Sequence, residues 1–412
     1  MAATTPRPPA WPILIAGGGI SSLAFALALR RGAGDAVTVT IAEPGPPHSA
    51  SGGRAYAVSP ASRLMLEALG IWPALAPIAQ PIRAMRITDS RPQDAFRPDY
   101  LGFRAGEDET LGHLLEAAPI AEVLAEACRE AGVTFLHERI EAPQAETSRI
   151  AVAMGGKPRH AALLVAADGA RSRLREAAGI GWVGESYRQT ALVATIAHGR
   201  DHEGVAIQHF LPAGPFAILP LAGSGRDLPH RSSIVWTEEE AVARRLLADE
   251  TSADSALAER FGAELGEIRR ETPLVGFPLG IGLARAFVAP RLALLGDAAH
   301  LIHPLAGQGL NLGLADAAAL AEAVVDAVRL GLDPGAADVL ATYERARRFD
   351  TVLLATLTDG LNRLFSNDSL AARTLRDLGL GLVDRSPLKR LFTAEAAGTT
   401  ARAPRLMRGK AL

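Results

Sequence analysis

The chain has little cysteine, little net charge and no long apolar run, and each shortage closes a class of explanation. One cysteine, Cys128, stands among 412 residues, so neither an internal disulfide nor a cysteine-built metal cluster can form. Its helix-like neighbours mark it as a core filler, and a single thiol fits a reducing compartment. The formal net charge is −2, with Lys and Arg scattered apart from a loose group near the C-terminus, so nothing electrostatic draws the chain to nucleic acid. No run of about 18 or more apolar residues occurs, which argues against a membrane-spanning helix. The first ten residues are Pro-rich and lack the charged-then-apolar pattern of a secretory signal. There is no internal repeat, no persuasive Ser/His/Asp triad and no paired-carboxylate site. His198 and His202 have HxxxH spacing, but Gly199 and the strand-like flanks predict loop or sheet histidines, and no metal site is expected.

What is present is glycine at meaningful places. Residues 12–16 form a short apolar strand, followed by Gly17-Gly18-Gly19-Ile20-Ser21-Ser22, a helix-like run from Leu23 to Arg31, and a second strand from Ala36 to Ala42 that ends at Glu43. Strand, glycine turn, helix, strand and acid in that order are the dinucleotide-binding pattern in its proper context. Gly17 permits the tight turn, Gly19 lets a pyrophosphate approach, and Glu43 is placed for ribose hydroxyls. Ser22 occupies the third glycine position. The turn by itself does not choose between NAD and FAD. Further on, Ser59 or Ser62 begins a helix that Gly70 ends. Arg54, just ahead of it, either reaches a phosphate or ribityl group or is a solvated loop arginine.

The middle of the chain reads as an edge strand at 83–89, a polar loop over 90–110, a helix over 119–131 with Pro119 in its first turn, and a strand at 133–137. The apolar run 161–166 leads into Asp168-Gly169-Ala170-Arg171-Ser172-Arg173. There Asp168 is placed to cap a helix, and Arg171 or Arg173 either meets a phosphate or pairs on the surface. From about 181 to 277 the texture changes. Short strands at 190–197, 205–210, 216–220 and 232–236, separated by Gly/Pro turns, and a helix at 254–269 predict a mostly antiparallel inserted domain.

The stretch GDAAHLIHPLAGQGLNLGLAD, residues 296–316, follows the apolar strand 292–295 and precedes a helix expected over 312–330. Its glycines let backbone approach a ligand, and the helix start points N–H groups and partial positive charge back at the loop. Asp297 is positioned to accept hydrogen bonds from sugar-like hydroxyls. A helical tail is expected from Tyr343 to about residue 396. Its segment Pro387–Phe392 either lies on a membrane surface or packs as a cap.

Together GGGISS with Glu43, DGARSR and the 296–316 stretch resemble the class A flavoprotein monooxygenases of the para-hydroxybenzoate hydroxylase fold. Within that group the chain is most similar to the ubiquinone-biosynthesis hydroxylases, through RAYAVSPASRLMLEALGIW (54–72), LGHLLEAAPIAEVL (111–124), GVAIQHFLPAGPFAILPL (204–221) and HPLAGQGLNLGLADAAALAEAV (303–324). The resemblance implies an α/β fold: an FAD-binding Rossmann-like domain in three pieces (10–80, 105–180, 277–345), an inserted β-sheet substrate domain (81–104, 181–276) and a helical region (346–396), with 1–9 and 397–412 flexible. It implies that Gly17, Gly19, Ser22 and Glu43 hold the ADP half of FAD. Arg54 contacts the cofactor near its ribityl–phosphate region, and Asp168 and Arg171 belong to a motif serving FAD and reduced nicotinamide. Gly296 and Asp297 reach the ribityl chain, and Pro304, Gly307, Gln308, Gly309, Leu310 and Asn311 lie around the isoalloxazine ring. Ala117 stands where relatives carry an amide, and Gln208-His209 where a Glu-Arg pair is frequent.

The implied activity is hydroxylation of a prenylated phenol by way of a flavin C4a-hydroperoxide, with O2 and with NAD(P)H or a ferredoxin as electron source. No catalytic side chain is assigned, because the chemistry centres on the flavin. The expected setting is cytoplasmic, with peripheral contact to the inner membrane or a quinone-biosynthesis assembly. Hydroxylation of a soluble phenol, and a non-catalytic FAD-binding role in such an assembly, stay open beside it.

Overall fold

The computed structural model describes residues 10–45, 53–89, 99–106, 109–211, 213–262, 264–303, 307–365 and 402–412. Two sheets organise them. The first has six strands in the order Val288–Ala289, Leu292–Leu294, Leu163–Ala166, Trp11–Ala16, Val37–Ala42, Thr134–Leu136. All neighbours run parallel except the outermost Val288–Ala289. Parallel strands are covered on both faces, which is why Ile13, Leu14 and Ile15 are all buried without alternation.

The helix Ile20–Ala33 buries a continuous run from Ser22 to Leu29, because it lies between this sheet and the long helix Gln308–Arg329. Close approach of the two helices depends on glycine. A Cβ on Gly313 would come 2.4 Å from Ser21 Oγ, and one on Gly32 would come 2.8 Å from Val325 Cγ2. Ser22 is buried in the same layer without disturbing it. Cys128 packs under this helix with its Sγ 3.3 Å from the Leu23 carbonyl, and burial pushes its thiol up to about 12, which makes it inert filler.

The second sheet has nine strands and is antiparallel apart from the pairing of Val205–Leu211 with Ala84–Asp89. Its central strand, Trp182–His198, pairs with His230–Glu239 on one side and Val275–Ala284 on the other. Successive residues point to opposite faces. Leu192, Ile207, Phe216, Ile234 and Trp236 therefore share one face, where they pack against Leu246, Leu257 and Phe261 of two covering helices, Glu240–Ala248 and Glu250–Phe261. The other face looks toward the first sheet.

Several expectations change. The strand at 84–89 is interior, because Asp99–Arg104, expected to be loop, pairs outside it. The helix expected at 254–269 runs from Glu250 to Phe261. Asp249 accepts from the Thr251 and Ser252 amides at its start, and Gly262, at φ +69°, stops it. Ile268–Arg270 is a strand instead, paired with Ile196–His198. A meander of Ile140–Ala145, Ile150–Met154 and Lys157–Ala161 fills a stretch that carried no assignment. The long helix begins at Gln308, not Leu312, and the helix expected from Tyr343 begins at Ala337. Three expected domain breaks fall inside elements, within Gln80–Ile82, Val275–Ala284 and Ala337–Phe365. His300–Leu301, from the 296–316 stretch, pairs into the second sheet. The segment Pro387–Phe392 lies outside the described residues.

The C-terminus is the clearest reversal. Residues 402–412 do not fray: Leu406 and Met407 join the main core, and Arg405 bonds Glu322 and Asp326 of the long helix. Buried apolar side chains outweigh the terminal position here. Leu406→Ala is expected to lower the unfolding free energy by about 2–5 kcal/mol, measured as a shift in denaturant midpoint. An unchanged midpoint would show that the terminus is not part of the core.

Candidate cofactor and substrate site

Four turns converge on one cavity of about 1010 Å³ between the two sheets. Three of them leave the carboxyl ends of parallel strands, where open α/β sheets bind ligands. The first is Gly17–Gly19. Gly17 has φ +104°, and a Cβ there would sit 2.2 Å from the Ala167 carbonyl, so only glycine fits. The Gly18 amide donates to Glu43 Oε2 at 3.0 Å, which locks the turn to the end of Val37–Ala42. Gly19 is the N-cap of its helix, and a Cβ on it would meet nothing within 4 Å. A cradle with free amides thus opens on the cavity.

The second turn carries Asp168. Its carboxylate accepts from Ser172 Oγ at 2.5 Å and from the Arg173 amide at 2.9 Å, so it caps the helix Arg173–Ala177. Arg171 and Arg173 line the cavity as exposed cations. Arg175, which the sequence reading passed over, is buried. It donates to the Ala170 and Ala298 carbonyls and lies 4.0 Å over the Trp182 ring, tying the second turn to the third. The basic run 171–175 was the visible signal, but nothing in it marks which arginine turns inward.

The third turn holds Gly296 and Asp297. Asp297 is open only to the cavity and otherwise crowded by protein. Desolvation pushes its carboxyl above the usual range; Asp316 adds to this, while His300 and Arg54 oppose it. Tyr56 lines the wall nearby, its phenol raised by burial and by Asp297 against the lowering effect of Arg54. The Arg54 guanidinium lies 4.8 Å over Phe277 and 5.8 Å over Tyr56, at the seam between the sheets. Tyr56 had no motif to announce it.

The fourth turn begins the long helix. Gly307 is its N-cap in the left-handed region, with no side chain capping the first turn and no acid in it. The unshared N–H groups and the helix dipole therefore point outward beside Gly309, where a Cβ would meet nothing within 4 Å. Gly307, Gly309 and Leu310 line the cavity; Gln308 and Asn311 are not part of its wall. Asn311 is buried and spent on backbone, accepting from the Ser59 amide at 2.9 Å and donating to the Ala57 carbonyl at 2.8 Å. Its place on the helix turns it toward residues 57–59, so it positions the wall instead of forming it. Pro304 lies outside the described residues. Ala117 lines the cavity without an amide side chain.

Behind the third turn, Asp316 accepts from the Gly296 amide, from His300 Nε2 at 2.5 Å and from Arg347 Nε at 2.8 Å. Burial raises its carboxyl, but His300 and Arg347 outweigh that and hold it below the usual range. His303 is fully buried at the cavity edge against the Tyr187 ring, with neither ring nitrogen hydrogen-bonded. The HxxxH histidines serve the sheet. His198 bonds the Arg200 carbonyl and Ser232 Oγ, and His202 bonds the Leu221 carbonyl. Gln208 lines the cavity, while His209 pairs with Thr88 on the opposite face.

Residues 10–352 match the family model described as FAD binding domain. The chain belongs to this FAD-binding family. It is 41% identical over 410 residues to the ubiquinone hydroxylase UbiL of Rhodospirillum rubrum, covering 96% of this chain and 92% of that protein. It is 32% identical to the 3-demethoxyubiquinol 3-hydroxylase of Escherichia coli K12, covering 94% of this chain and 98% of that one. Its fold is that of the p-nitrophenol 4-monooxygenase PnpA from Pseudomonas putida DLL-E4, with TM-score 0.75 at 20% identity over 95% of this chain and 99% of the other. The fold is thus α/β of the flavin monooxygenase type, FAD is the cofactor, and the protein is an FAD-dependent monooxygenase.

Burial lowers His303 to about 4, with Asp359 opposing. The unfolded chain binds this proton near pH 6.5 and the native protein does not, so stability falls as pH drops from about 6.5 to about 4. The loss is roughly 3 kcal/mol at most. His303→Leu is expected to flatten the plot of unfolding free energy against pH in that window. An unaltered slope would mean that the imidazole is protonated in the native state.

Proposed function

We propose that this chain hydroxylates the aromatic ring of a ubiquinone precursor, a phenol with a polyprenyl tail, using O2 and reducing equivalents from NAD(P)H. The names of the relatives support the pathway. The observation that carries the chemistry is the uncapped helix start at Gly307–Leu310 beside Asp297 on one cavity wall.

The cavity walls fit FAD. Gly17, Gly19, Ser22 and Glu43 hold the ADP half: Gly19 leaves room for the pyrophosphate, and Glu43 keeps the turn in shape while facing the ribose. Arg54 neutralises the phosphate–ribityl region. Asp168 holds the turn that presents Arg171, which serves the cofactor and the nicotinamide donor. Gly296 gives the ribityl chain access to Asp297, whose carboxylate accepts from its hydroxyls. Gly307, Gly309 and Leu310 would lie around the isoalloxazine ring, and Asn311 holds their turn against residues 57–59. When reduced, FAD activates O2 so that one oxygen atom enters the phenol ring and the other leaves as water.

The protein's own residues do the rest. Helix-start amides near the ring stabilise negative charge on it. The apolar face of the nine-stranded sheet excludes water from the reacting atoms. The division follows the sheets: the six-stranded unit binds the cofactor, and the nine-stranded unit covers the substrate. A tailed phenol dissolves in a bilayer, so the enzyme works as a peripheral visitor to the membrane or within a quinone-biosynthesis assembly. Among the described residues no helix is long and apolar enough to cross a membrane.

A deletion strain is expected to accumulate a quinone precursor lacking one ring hydroxyl, read by mass spectrometry; an unchanged quinone profile overturns the reading. Asp297→Ala is expected to weaken FAD retention roughly ten- to hundredfold, the value of a hydrogen bond to a charged group. Equilibrium dialysis against FAD measures it, and equal retention would remove Asp297 from the site.

A further inference from the structure

The strand register lays out the cavity roof residue by residue. Gln208 stands opposite Ala217, Ala217 opposite Val235, and Val235 opposite Val193, one row across four strands. Thr237 lies two residues along from Val235, opposite Ala191. All six line the cavity, and their alternating neighbours Ile207, Phe216, Trp236 and Leu192 face the other core. This roof is apolar except at Gln208 and Thr237. Among the described residues, the four central strands Trp182–His198, Val205–Leu211, Gly214–Leu221 and His230–Glu239 bring no charged side chain to the cavity, and His300, at the sheet's far edge, is engaged by Asp316. Of the cavity's arginines, Arg139, Arg171 and Arg173 come from the opposite side, and Arg54 stands at the seam against Phe277, beyond this row.

Thr237 is 2% exposed, and its Oγ1 has no hydrogen-bond partner. Its methyl group occupies the space beside Gly214, where a Cβ would come 2.5 Å from Thr237 Cγ2. A buried hydroxyl without a partner is costly where the isosteric valine would not be, and such a group calls for an explanation. Gln208 offers both a donor and an acceptor, and so does a threonine hydroxyl, which suits phenolic and ether oxygens alike.

We propose that Gln208 and Thr237 determine specificity by hydrogen-bonding the oxygen substituents of an uncharged ring, while the cation-free roof rejects phenols that carry a carboxylate. The proposal rests on the reading above, in which the aromatic substrate binds beneath this sheet. A carboxylate seated against these four strands loses its hydration and finds no counter-charge on them. A neutral methoxyphenol loses little and gains two hydrogen bonds.

The test is isothermal titration calorimetry on the FAD-loaded full chain with three probes: guaiacol, para-hydroxybenzoate and toluene. Wild type is expected to bind guaiacol at least about tenfold more tightly than para-hydroxybenzoate. Gln208→Leu and Thr237→Val each weaken guaiacol about three- to tenfold and leave toluene unchanged or tighter. Thr237→Ser keeps the hydroxyl and the wild-type affinity, and Gln208→Arg shifts the preference toward para-hydroxybenzoate. FAD content and thermal midpoint, unchanged in these variants, exclude misfolding as the cause. Wild-type binding of guaiacol with equal binding by Gln208→Leu and Thr237→Val overturns the assignment alone. A wild type that binds neither phenol overturns the hydroxylase reading and the assignment with it.

Discussion

The carboxylate of Asp316 is the constraint on which the rest of the site depends. It is wholly buried and holds three groups from two stretches of chain: the Gly296 amide and the His300 ring of the third turn, and the Arg347 guanidinium of the helix Ala337–Phe365. Because Asp316 sits on the long helix, these contacts fix that helix against the turn that presents Asp297. A charge network of this kind is not a large source of net stability, since desolvation offsets much of the attraction. Its value is positional, because any alternative placement would strand a buried charge. The helix start at Gly307 and the Asp297 carboxylate therefore face the same cavity at a fixed spacing.

Around that anchor the cavity divides by chemistry. The side built from strand ends is polar and glycine-lined, with backbone amides, cations and carboxylates directed inward. The side built from the nine-stranded sheet is smooth and apolar, because alternation sends its larger side chains into a second core under the helices. A large charged cofactor and an apolar aromatic substrate make opposite demands on their surroundings. Two sheets meeting face to end meet both demands in one space.

Much of this was legible in the chain. The strand–glycine–helix–acid order at 11–43 and the 296–316 stretch rest on local chemistry: a turn that needs positive φ, a helix start that leaves amides free, an acid at a strand end. Local rules were enough to find Gly17, Gly19, Gly296, Asp297, Gly307 and Gly309 at one cavity. They failed where a residue's partner lies far along the chain. Asn311 looks like a loop amide near a ligand, yet it meets residues 57 and 59, about 250 positions away. Arg175 resembles its neighbours Arg171 and Arg173 until the Ala298 carbonyl and Trp182 select it. The C-terminal residues look like any short polar tail until Leu406 and Met407 find an open edge of the core.

The sequence by itself determined the Rossmann-like beginning, the second mostly antiparallel sheet and the glycine turns, because each follows from interactions between residues close in the chain. Only the tertiary structure decided which polar groups face the cavity and which are spent on holding it. That choice turns on strand register, as for Gln208 and Thr237, and on pairings such as Asp316 with Arg347, whose partners are joined only by folding. A hydrogen-bonding side chain carries the same chemistry in either place, and what it does is set by what the fold puts within about 3 Å of it.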